Sequence, residues 1–350
     1  MDSFKETLDS YRSMIDEALG GECVKEIFDC IDGYDFMRVY TRAFRSFTEG
    51  GKRLRAFLVM LGYRMCGREP DEDIVRASLA FELFQSGILV HDDIIDESDL
   101  RRGRPTMHMS LEGSDLHNRV SKAICVGDLG IVAATDILIK TGFEPALILK
   151  AIEHQNRVYK LTIAGELKDI ELSDKGEMSG GVGMDDIVTM YELKTAWYTF
   201  IGPVQLGVIL GGGSEKLMED VREAGRCMGI AFQIRDDILG IYGKSRETGK
   251  TSLSDIEEGK KTLMTGYFTE HCTEEELESF ESLYGRAGAD EGTAERIGEL
   301  FIKSGARRYA DEQCSRYTGE AGTVIDRMEI SEECREILRG MLRYLNEREA

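Results

Sequence analysis

Apolar residues recur every three or four positions along most of the chain, which is the spacing that places them on one face of an α-helix. Near the start, Leu8, Tyr11, Ile15 and Leu19 follow this spacing. The same pattern predicts helices over residues 6–30, 36–47, 53–66, 73–98, 120–140, 146–171, 185–210, 215–242, 274–284, 293–318 and 331–347. No segment alternates apolar and polar residues long enough to require a β-sheet. We therefore expect an all-α fold.

Breaks between these helices are predicted where glycine and polar residues cluster. They lie at residues 50–51, 101–106, 173–184 and 285–292. The glycine-rich stretch 173–184 is interpreted as a surface loop and not as a linker, because the helices on both sides carry related chemistry. The chain is therefore expected to form one domain over residues 1–350.

One apolar segment needs a separate interpretation. From Thr195 to Ser214 no residue is charged, so a membrane span is one reading. The segment also contains several glycines, Pro203 and Gln205. We favour a helix buried inside a large bundle, because such a helix can be apolar on every side.

The N-terminal sequence and the cysteines predict a cytoplasmic protein. The N-terminus, MDSFKETLDS, has early acidic residues and no apolar core, which is unlike a secretory signal. The 8 cysteines are scattered and form no CxxC pair. That spacing fits reduced cytosolic thiols better than disulfides or a zinc site.

The net charge of the chain argues against two classes of binding partner. Lys and Arg number 44 and Asp and Glu number 65, so the formal net charge is −21. Such a surface repels nucleic-acid phosphates and anionic lipid headgroups, which argues against both as general partners. The hydrophobic share of 42% is too high for a disordered acidic chain.

An acidic motif closes the helix predicted over residues 73–98. In its sequence, HDDIID at 91–96, Asp92 and Asp96 lie one helical turn apart on one face, with Asp93 beside them. Carboxylates at this spacing repel one another unless a cation or solvent offsets their charge. Hard divalent ions, Mg²⁺ above all, suit such oxygen ligands. Alone, the motif is equally compatible with an ordinary acidic helix face.

A second acidic pair, Asp236 and Asp237, lies in the sequence FQIRDDILG at 232–240. Its neighbours are apolar, which places the pair at the wall of a core instead of on a solvated face. Two acidic motifs embedded in apolar helices favour a metal site over two ordinary helix faces.

Basic clusters accompany these acids. They are Gly51-Lys52-Arg53-Leu54-Arg55, Arg101-Arg102-Gly103-Arg104, Lys194-Thr195 and Lys260-Lys261-Thr262. Each alone is compatible with a solvated loop or a helix C-cap. In so acidic a protein, compact basic clusters indicate anion sites, since Arg binds phosphate with a two-pronged fork and Lys as a point charge. Acids for metal and bases for phosphate together point to a diphosphate substrate.

At this point the motifs resemble a known family, the trans-polyprenyl (E-type isoprenyl) diphosphate synthases, and in particular its short-chain archaeal members. The matching sequences, in family order, are GGKRLR at 50–55, FQ at 84–85, HDDIIDESDLRRGRPTMH at 91–108, GELKDI at 165–170, YELKTA at 191–196, FQIRDDILGIYG at 232–243 and SDIEEGKKTL at 254–263. The resemblance implies an isoprenoid synthase-like helical bundle around a central cavity, usually in a homodimer.

The resemblance also implies roles for individual residues. Carried over by position, the first metal motif is Asp92, Asp93 and Asp96, and the main ligand of the second is Asp236. The residues that would grip the allylic diphosphate are Arg101, Lys194 and Lys260. The isopentenyl diphosphate site would comprise Lys52, Arg55, Gln85 and Arg102. Thr195 and Gln233 would place polar groups near the developing cation.

The implied reaction condenses isopentenyl diphosphate with dimethylallyl, geranyl or farnesyl diphosphate in the presence of Mg²⁺, with Mn²⁺ as the alternative ion. Two departures from the family pattern stand out. Many members have a third aspartate where this chain has Gly240, and many have Gln where it has Glu166.

Product length is predicted from the helix that carries Asp92. A growing chain is expected to run back along this helix, past Gly87 and Ile88, where the glycine would leave room. Phe84 and Phe81 would then form the floor and give a C20 product, geranylgeranyl diphosphate. C15 and C25 products are the alternatives, and plain core packing is the alternative role of the two phenylalanines.

Two other classes of function share part of the pattern. A class I terpene cyclase has the acidic motif and a helical cavity, but needs no second diphosphate site such as the one implied by the resemblance. A non-catalytic partner subunit would be expected to lack some of the acids or bases, whereas only Gly240 is irregular here.

Overall fold

The computed structural model describes residues 3–173, 183–243 and 253–347. The α-helices are α1 Ser3–Gly20, α2 Glu22–Asp32, α3 Met37–Thr48, α4 Leu54–Met65, α5 Glu72–Ile95, α6 Met107–Ser110, α7 Leu116–Ile139, α8 Pro145–Ser173, α9 Met184–Tyr191, α10 Gly202–Gly211, α11 Glu215–Tyr242, α12 Ser254–Glu257, α13 Leu263–His271, α14 Glu274–Glu281, α15 Glu291–Ser304, α16 Ala306–Arg327 and α17 Glu332–Glu347. A π-helical segment, π1, spans Glu192–Ile201. The predicted all-α fold is confirmed.

One short β-hairpin interrupts the helices. Its strands are β1 Leu100–Arg101 and β2 Arg104–Pro105, which pair antiparallel. The turn between them uses left-handed backbone at Arg102 (φ 53°) and Gly103 (φ 72°). It occupies the predicted break at residues 101–106.

The chain forms two compact units. The first contains the described residues of Met1–Arg157, Ile201–Val221 and Met328–Gly340. The second contains those of Val158–Phe200, Arg222–Arg327 and Met341–Ala350. The prediction of one domain over residues 1–350 remains a prediction.

The first unit is centred on α4, α5, α7 and α10. Helices α4 and α10 touch through their backbones, because a Cβ at Gly62 would lie 2.1 Å from the carbonyl oxygen of Val204. Gly207 repeats this arrangement against Val59, at 2.0 Å. Helix α10 is buried on nearly all sides, as predicted for the uncharged segment. Within the described residues, no helix is both long and apolar enough to cross a membrane.

Helix α5 positions the acidic motif. Asp71 caps its N-terminus by accepting a hydrogen bond from the backbone nitrogen of Ile74 at 3.0 Å. Most of the helix is buried, and it ends at Ile95 with Asp96 as the C-cap. The HDDIID sequence therefore lies at the point where a buried helix emerges from the core.

The second unit has an aromatic core. Phe268 of α13 packs on Phe280 and Phe301, with ring centroids 4.8 and 5.7 Å away. All three side chains are fully buried. Such rings bury large apolar areas and prefer offset or edge-to-face contacts.

Two predicted helices are split by glycine in the structure. The helix predicted over residues 6–30 ends at Gly20, and α2 begins at Glu22. The helix predicted over residues 293–318 is interrupted at Gly305, whose φ of 85° cannot continue a right-handed helix. Most of the loop predicted at 173–184 lies outside the described residues, since these stop at 173 and resume at 183. All eight cysteines carry free thiols.

Candidate active site

The first acidic motif is tied to the β-hairpin by one arginine. Arg101 donates from Nη2 to Oδ2 of Asp92 at 2.7 Å and from Nε to Oδ1 of Asp93 at 2.6 Å. Asp93 is fully buried, whereas the Asp92 side chain keeps 19% of its surface exposed. One guanidinium therefore offsets the repulsion between two adjacent carboxylates.

The charge of Arg101 is secured by this pairing. Burial alone would lower the pKa of its guanidinium, but the negative charges and hydrogen bonds of Asp92 and Asp93 outweigh that effect and raise the pKa. Arg101 therefore stays a cation at the base of the motif.

The donor chemistry of Asp92 and Asp96 fits Mg²⁺. Both present hard carboxylate oxygens one turn apart, and the backbone nitrogen of Asp96 bonds to the carbonyl of Asp92 at 2.8 Å. Within the described ranges, no three His, Cys, Asp or Glu side chains converge as a complete metal cage. Mg²⁺ typically takes one or two carboxylates and completes its shell with water and substrate phosphate. Asp93 differs from its two neighbours, because it is buried against Arg101.

A cavity of about 850 Å³ opens in the first unit beside the hairpin. Three of the residues expected for the isopentenyl diphosphate site or the diphosphate grip line it: Gln85, Arg101 and Arg102. The other four, Lys52, Arg55, Lys194 and Lys260, are not among its lining residues. Apolar side chains also line it, among them Val39, Tyr40, Phe47, Leu89, Met107 and Leu111, and so do the acids Glu49, Glu82 and Glu112. The lining thus combines charged groups with surface that suits hydrocarbon.

Several arginine side chains lie close together at this cavity. Burial lowers the pKa of Arg102, and the nearby charges of Arg101, Arg53 and Arg55 lower it further. Its guanidinium also lies against Gly51, where a Cβ would sit only 3.3 Å from Nη1. Mutual repulsion among these cations is relieved by an anion, so the arrangement favours binding of a diphosphate.

Sequence reasoning named Arg53 only as a member of a basic cluster and missed Glu82, and both residues line this cavity. Arg53 donates to Asp16 at 2.6 Å and to Glu82 at 3.1 Å. Its left-handed backbone (φ 56°) cannot be read from the sequence. Glu82 could have been singled out as an acid among apolar residues of a buried helix.

In the second unit, π1 carries Lys194 and Thr195. Two glycines from other helices press against it: a Cβ at Gly165 would lie 2.2 Å from the backbone nitrogen of Lys194, and one at Gly229 would lie 2.3 Å from Cα of Ala196. The sequence predicted one α-helix over residues 185–210. The structure instead places a π segment there, a distortion that is frequent at functional sites.

Lys194 is held by two carboxylates. Its Nζ lies 2.9 Å from an oxygen of Glu166 and 2.6 Å from Asp169. A glutamate in place of the family's usual glutamine therefore adds a second negative partner for this lysine. Asp169 belongs to the quoted sequence GELKDI but was not singled out from the sequence.

A hydrogen-bond chain joins π1 to the second acidic pair. Thr195 donates to Oε1 of Gln233 at 2.6 Å, and Nε2 of Gln233 donates to Asp237 at 2.9 Å. Tyr191 donates to the other oxygen of Asp237. Burial raises the pKa of Asp237 to about 8. Both carboxylate oxygens of Asp237 thus accept hydrogen bonds from protein side chains. Asp236 is the member of the pair that the sequence predicts as a metal ligand.

The irregular Gly240 lies against another acid. A Cβ at this position would be 2.5 Å from Oδ2 of Asp255, so the structure has no room there for a third aspartate side chain without movement. Asp255 in turn accepts a hydrogen bond from Lys260 at 2.9 Å, and Glu258 lies 3.0 Å from the same lysine. Lys260 is therefore positioned by two acids.

The interpretation of Gly87 as an opening for the product chain is wrong. Its missing Cβ would lie 2.7 Å from the carbonyl oxygen of Gly127, and a Cβ at Gly130 would lie 2.9 Å from Cα of Gly87. The glycine lets α5 and α7 pack backbone to backbone instead of opening a space. Phe84 and Phe81 are fully buried in α5, and Ile88 is half-buried. Their role as a floor remains a prediction.

The buried, acid-bearing helix α5 and the arginine-lined cavity beside it are the features of a helical enzyme. Residues 37–301 match the family model described as polyprenyl synthetase. The chain belongs to this family, and it is a prenyltransferase, as the resemblance implied.

Individual relatives agree. The chain is 31% identical over 301 residues to a geranylgeranyl diphosphate synthase of Sulfolobus acidocaldarius, covering 85% of this chain and 87% of the relative. It is 30% identical over 304 residues to a geranylfarnesyl diphosphate synthase of Aeropyrum pernix, covering 85% and 91%.

The fold agrees as well. A crystal structure of geranylgeranyl pyrophosphate synthase from Corynebacterium glutamicum, complexed with isoprenyl diphosphate and magnesium, superposes with a TM-score of 0.88 at 28% identity and covers 99% of both chains. The synthetase from Pyrococcus horikoshii superposes with a TM-score of 0.81 at 27% identity, again with 99% of both chains covered.

Proposed function

We propose that this enzyme condenses isopentenyl diphosphate with an allylic diphosphate and that its main product is geranylgeranyl diphosphate. One observation carries the proposal: Arg101 lines the cavity and at the same time bonds Asp92 and Asp93. A single side chain, Arg101, thereby joins the proposed diphosphate site to the proposed metal motif.

The proposal assigns Mg²⁺, with Mn²⁺ as the alternative ion, to the carboxylate oxygens of Asp92 and Asp96, and it separately assigns a metal-binding role to Asp236. When bound, the metal would supply positive charge that stabilises a departing diphosphate. Arg101 is proposed to bind diphosphate with its forked guanidinium, and Lys194 and Lys260 are proposed diphosphate ligands that act as point charges.

Isopentenyl diphosphate is assigned to the part of the cavity that the arginines line. Arg102 and Gln85 would hold its diphosphate, with Lys52 contributing from the loop before α4 and Arg55 from the first turn of that helix. A fixed diphosphate places the double bond for attack on the allylic carbon, which is the advantage of proximity. Thr195 gives its proton to Gln233, so its oxygen lone pairs are available to stabilise positive charge on that carbon.

Chain length is proposed as C20. Relatives over most of the chain include geranylgeranyl diphosphate synthases, with a geranylfarnesyl diphosphate synthase among them. The same reaction with a C15 or C25 product is the alternative.

A homodimer is also part of the proposal. Helix α7 exposes Ile124, Val132 and Ile139, and α8 exposes Leu149 at 69%. Exposed apolar side chains grouped on neighbouring helices favour burial against another subunit. The free thiols support a cytoplasmic location. Light scattering should give twice the chain mass of 39.3 kDa, and a monomeric mass would contradict the dimer.

Isothermal titration with isopentenyl diphosphate, in Mg²⁺ and in EDTA, tests the substrate assignment. Arg102→Gln should weaken binding at least about tenfold, since a hydrogen bond to a charged group contributes about 1.5–3 kcal/mol. Arg308→Gln is the matched control, because it removes the same charge from a side chain that is 79% exposed in the second unit. No binding by the unaltered enzyme, or equal binding by both variants, would contradict the assignment.

A further inference from the structure

Glu82 is a buried acid on the wall of the cavity. It lies on α5, only 4% of its surface is exposed, and it lines the cavity together with Gln85 and Ser86. Its two oxygens are both engaged: Oε2 accepts from Nη1 of Arg53 at 3.1 Å, and Oε1 accepts from the backbone nitrogen of Ala56 at 3.2 Å.

The contact with Ala56 caps a helix. Helix α4 begins at Leu54, and its own N-cap residue, Arg53, makes no side-chain capping hydrogen bond. The first amides of a helix have no partner within the helix, and Ala56 provides the third of them. Glu82 supplies the acceptor from another helix, and its charge suits the positive end of the α4 dipole.

The contact with Arg53 holds a strained loop. Gly50, Gly51 and Arg53 all have left-handed backbone, with φ of 78°, 94° and 56°. Such backbone is unfavourable for a residue with a side chain and persists only where surrounding contacts fix it. The Arg53 side chain is 6% exposed and is fixed by Glu82 from inside and by Asp16 from the half-exposed outside.

Lys52 lies in this loop directly before Arg53, and Arg55 lies in the first turn of α4 directly after it. The backbone at Arg53 therefore sets the direction of Lys52 relative to Arg55. We infer that Glu82 is a positioning residue of the isopentenyl diphosphate subsite, which holds the basic loop in place by capping α4 and anchoring Arg53. The inference rests on the proposed function. A direct contact between Glu82 and diphosphate is disfavoured, because both are anionic.

The test compares Glu82→Gln with Asp16→Asn. The glutamine side chain has nearly the same shape as glutamate but no negative charge. Its electrostatic attraction to Arg53 and to the N-terminus of α4 is therefore lost. We expect its KM for isopentenyl diphosphate to rise about tenfold, with kcat and the KM for the allylic primer within about twofold, since a charge-assisted hydrogen bond is lost. Asp16→Asn removes the outer partner of the same arginine without touching α4. Its KM values should stay within about twofold, because a half-exposed pair contributes little.

A second readout does not depend on turnover. Amide hydrogen exchange at Ala56 and along residues 50–57 should speed up in Glu82→Gln, with the melting temperature nearly unchanged. Should Glu82→Gln fail to fold, Arg53→Lys probes the same anchor from the other side, and the same selective rise in KM is expected.

Three results would overturn the inference. The first is equal changes in KM for both substrates, which indicate a general structural role. The second is an Asp16→Asn effect as large as that of Glu82→Gln, which makes the cap irrelevant. The third is an unaltered enzyme that does not use isopentenyl diphosphate. This last result removes the proposed function as well, and it is recognised because the failure is present before any substitution.

Discussion

Arg101 donates from Nη2 to the outer carboxylate oxygen of Asp92 at 2.7 Å while its Nε holds the buried Asp93. The two acids differ in burial: Asp93 is fully buried, whereas the Asp92 side chain keeps 19% of its surface exposed. The proposed metal role therefore falls on Asp92.

Replacing Asp92 by Ala should remove activity and spare the fold. Turnover is expected to fall at least about 10²–10³-fold, comparable to loss of one electrostatic contact to a transition state. Stability should change little, because Arg101 retains Asp93. Steady-state kinetics and thermal unfolding measure the two effects. Asp35→Ala, at a side chain 93% exposed, is the control, and normal kinetics in Asp92→Ala would refute the metal assignment.

Gly87→Phe should destabilise the protein without setting the product length. The new side chain would meet the backbone of Gly127, so α5 and α7 must separate, and overpacking of this kind costs about 1–3 kcal/mol or more. Urea unfolding and product sizing check this. A stable variant with a shorter product would restore the interpretation of Gly87 as an opening.

Gly165→Ala should displace π1. Its Cβ would lie 2.2 Å from the backbone nitrogen of Lys194, so the segment that carries Lys194 and Thr195 must shift. We expect a loss of about 1–3 kcal/mol in stability and a higher KM for the allylic diphosphate. Gly319→Ala is matched to it, since it makes the same change in a helix where nothing lies within 4 Å. That control should be neutral or stabilised by about 0.5–1 kcal/mol, and identical behaviour of the two variants would contradict the account.

His154 should make the fold sensitive to mild acid. Burial lowers the pKa of its imidazole from 6.5 to about 4, even though the ring is hydrogen-bonded to the carbonyl of Gly202 at 3.1 Å. Between these pH values the unfolded chain binds a proton that the folded chain does not, so stability falls as pH falls. The loss reaches up to about 3 kcal/mol by pH 4.

Urea unfolding at pH 7 and pH 5 measures this effect. His154→Gln keeps a side-chain hydrogen-bond donor without the titrating ring, so its stability should fall less between the two pH values than that of the unaltered protein. Equal losses would show that His154 is not the responsible group.

Sequence patterns were sufficient for the helical fold. Periodicity located the long buried helices because their faces are apolar, and the acids and bases were singled out as candidates because charge within apolar sequence is unusual. The π segment and the role of Gly87 could not be predicted in this way. Both depend on the approach of two backbones, such as Gly165 to Lys194, between residues far apart in the chain. Glu82 stands out in the sequence as an acid among apolar residues, but its role could not be predicted, since its partners Arg53 and Ala56 are brought to it only by folding.

The reaction itself is tested most directly by sizing the product. Purified enzyme is supplied with Mg²⁺, isopentenyl diphosphate and, separately, dimethylallyl, geranyl and farnesyl diphosphate, and the products are dephosphorylated and identified by mass spectrometry. The account predicts a dominant C20 alcohol that incorporates isopentenyl units. A C15 or C25 alcohol would retain the reaction and correct the chain length. Hydrocarbon formed without isopentenyl incorporation would indicate a cyclase, and the absence of product from every primer would indicate a non-catalytic partner subunit. Either of these last two results would contradict the proposed function.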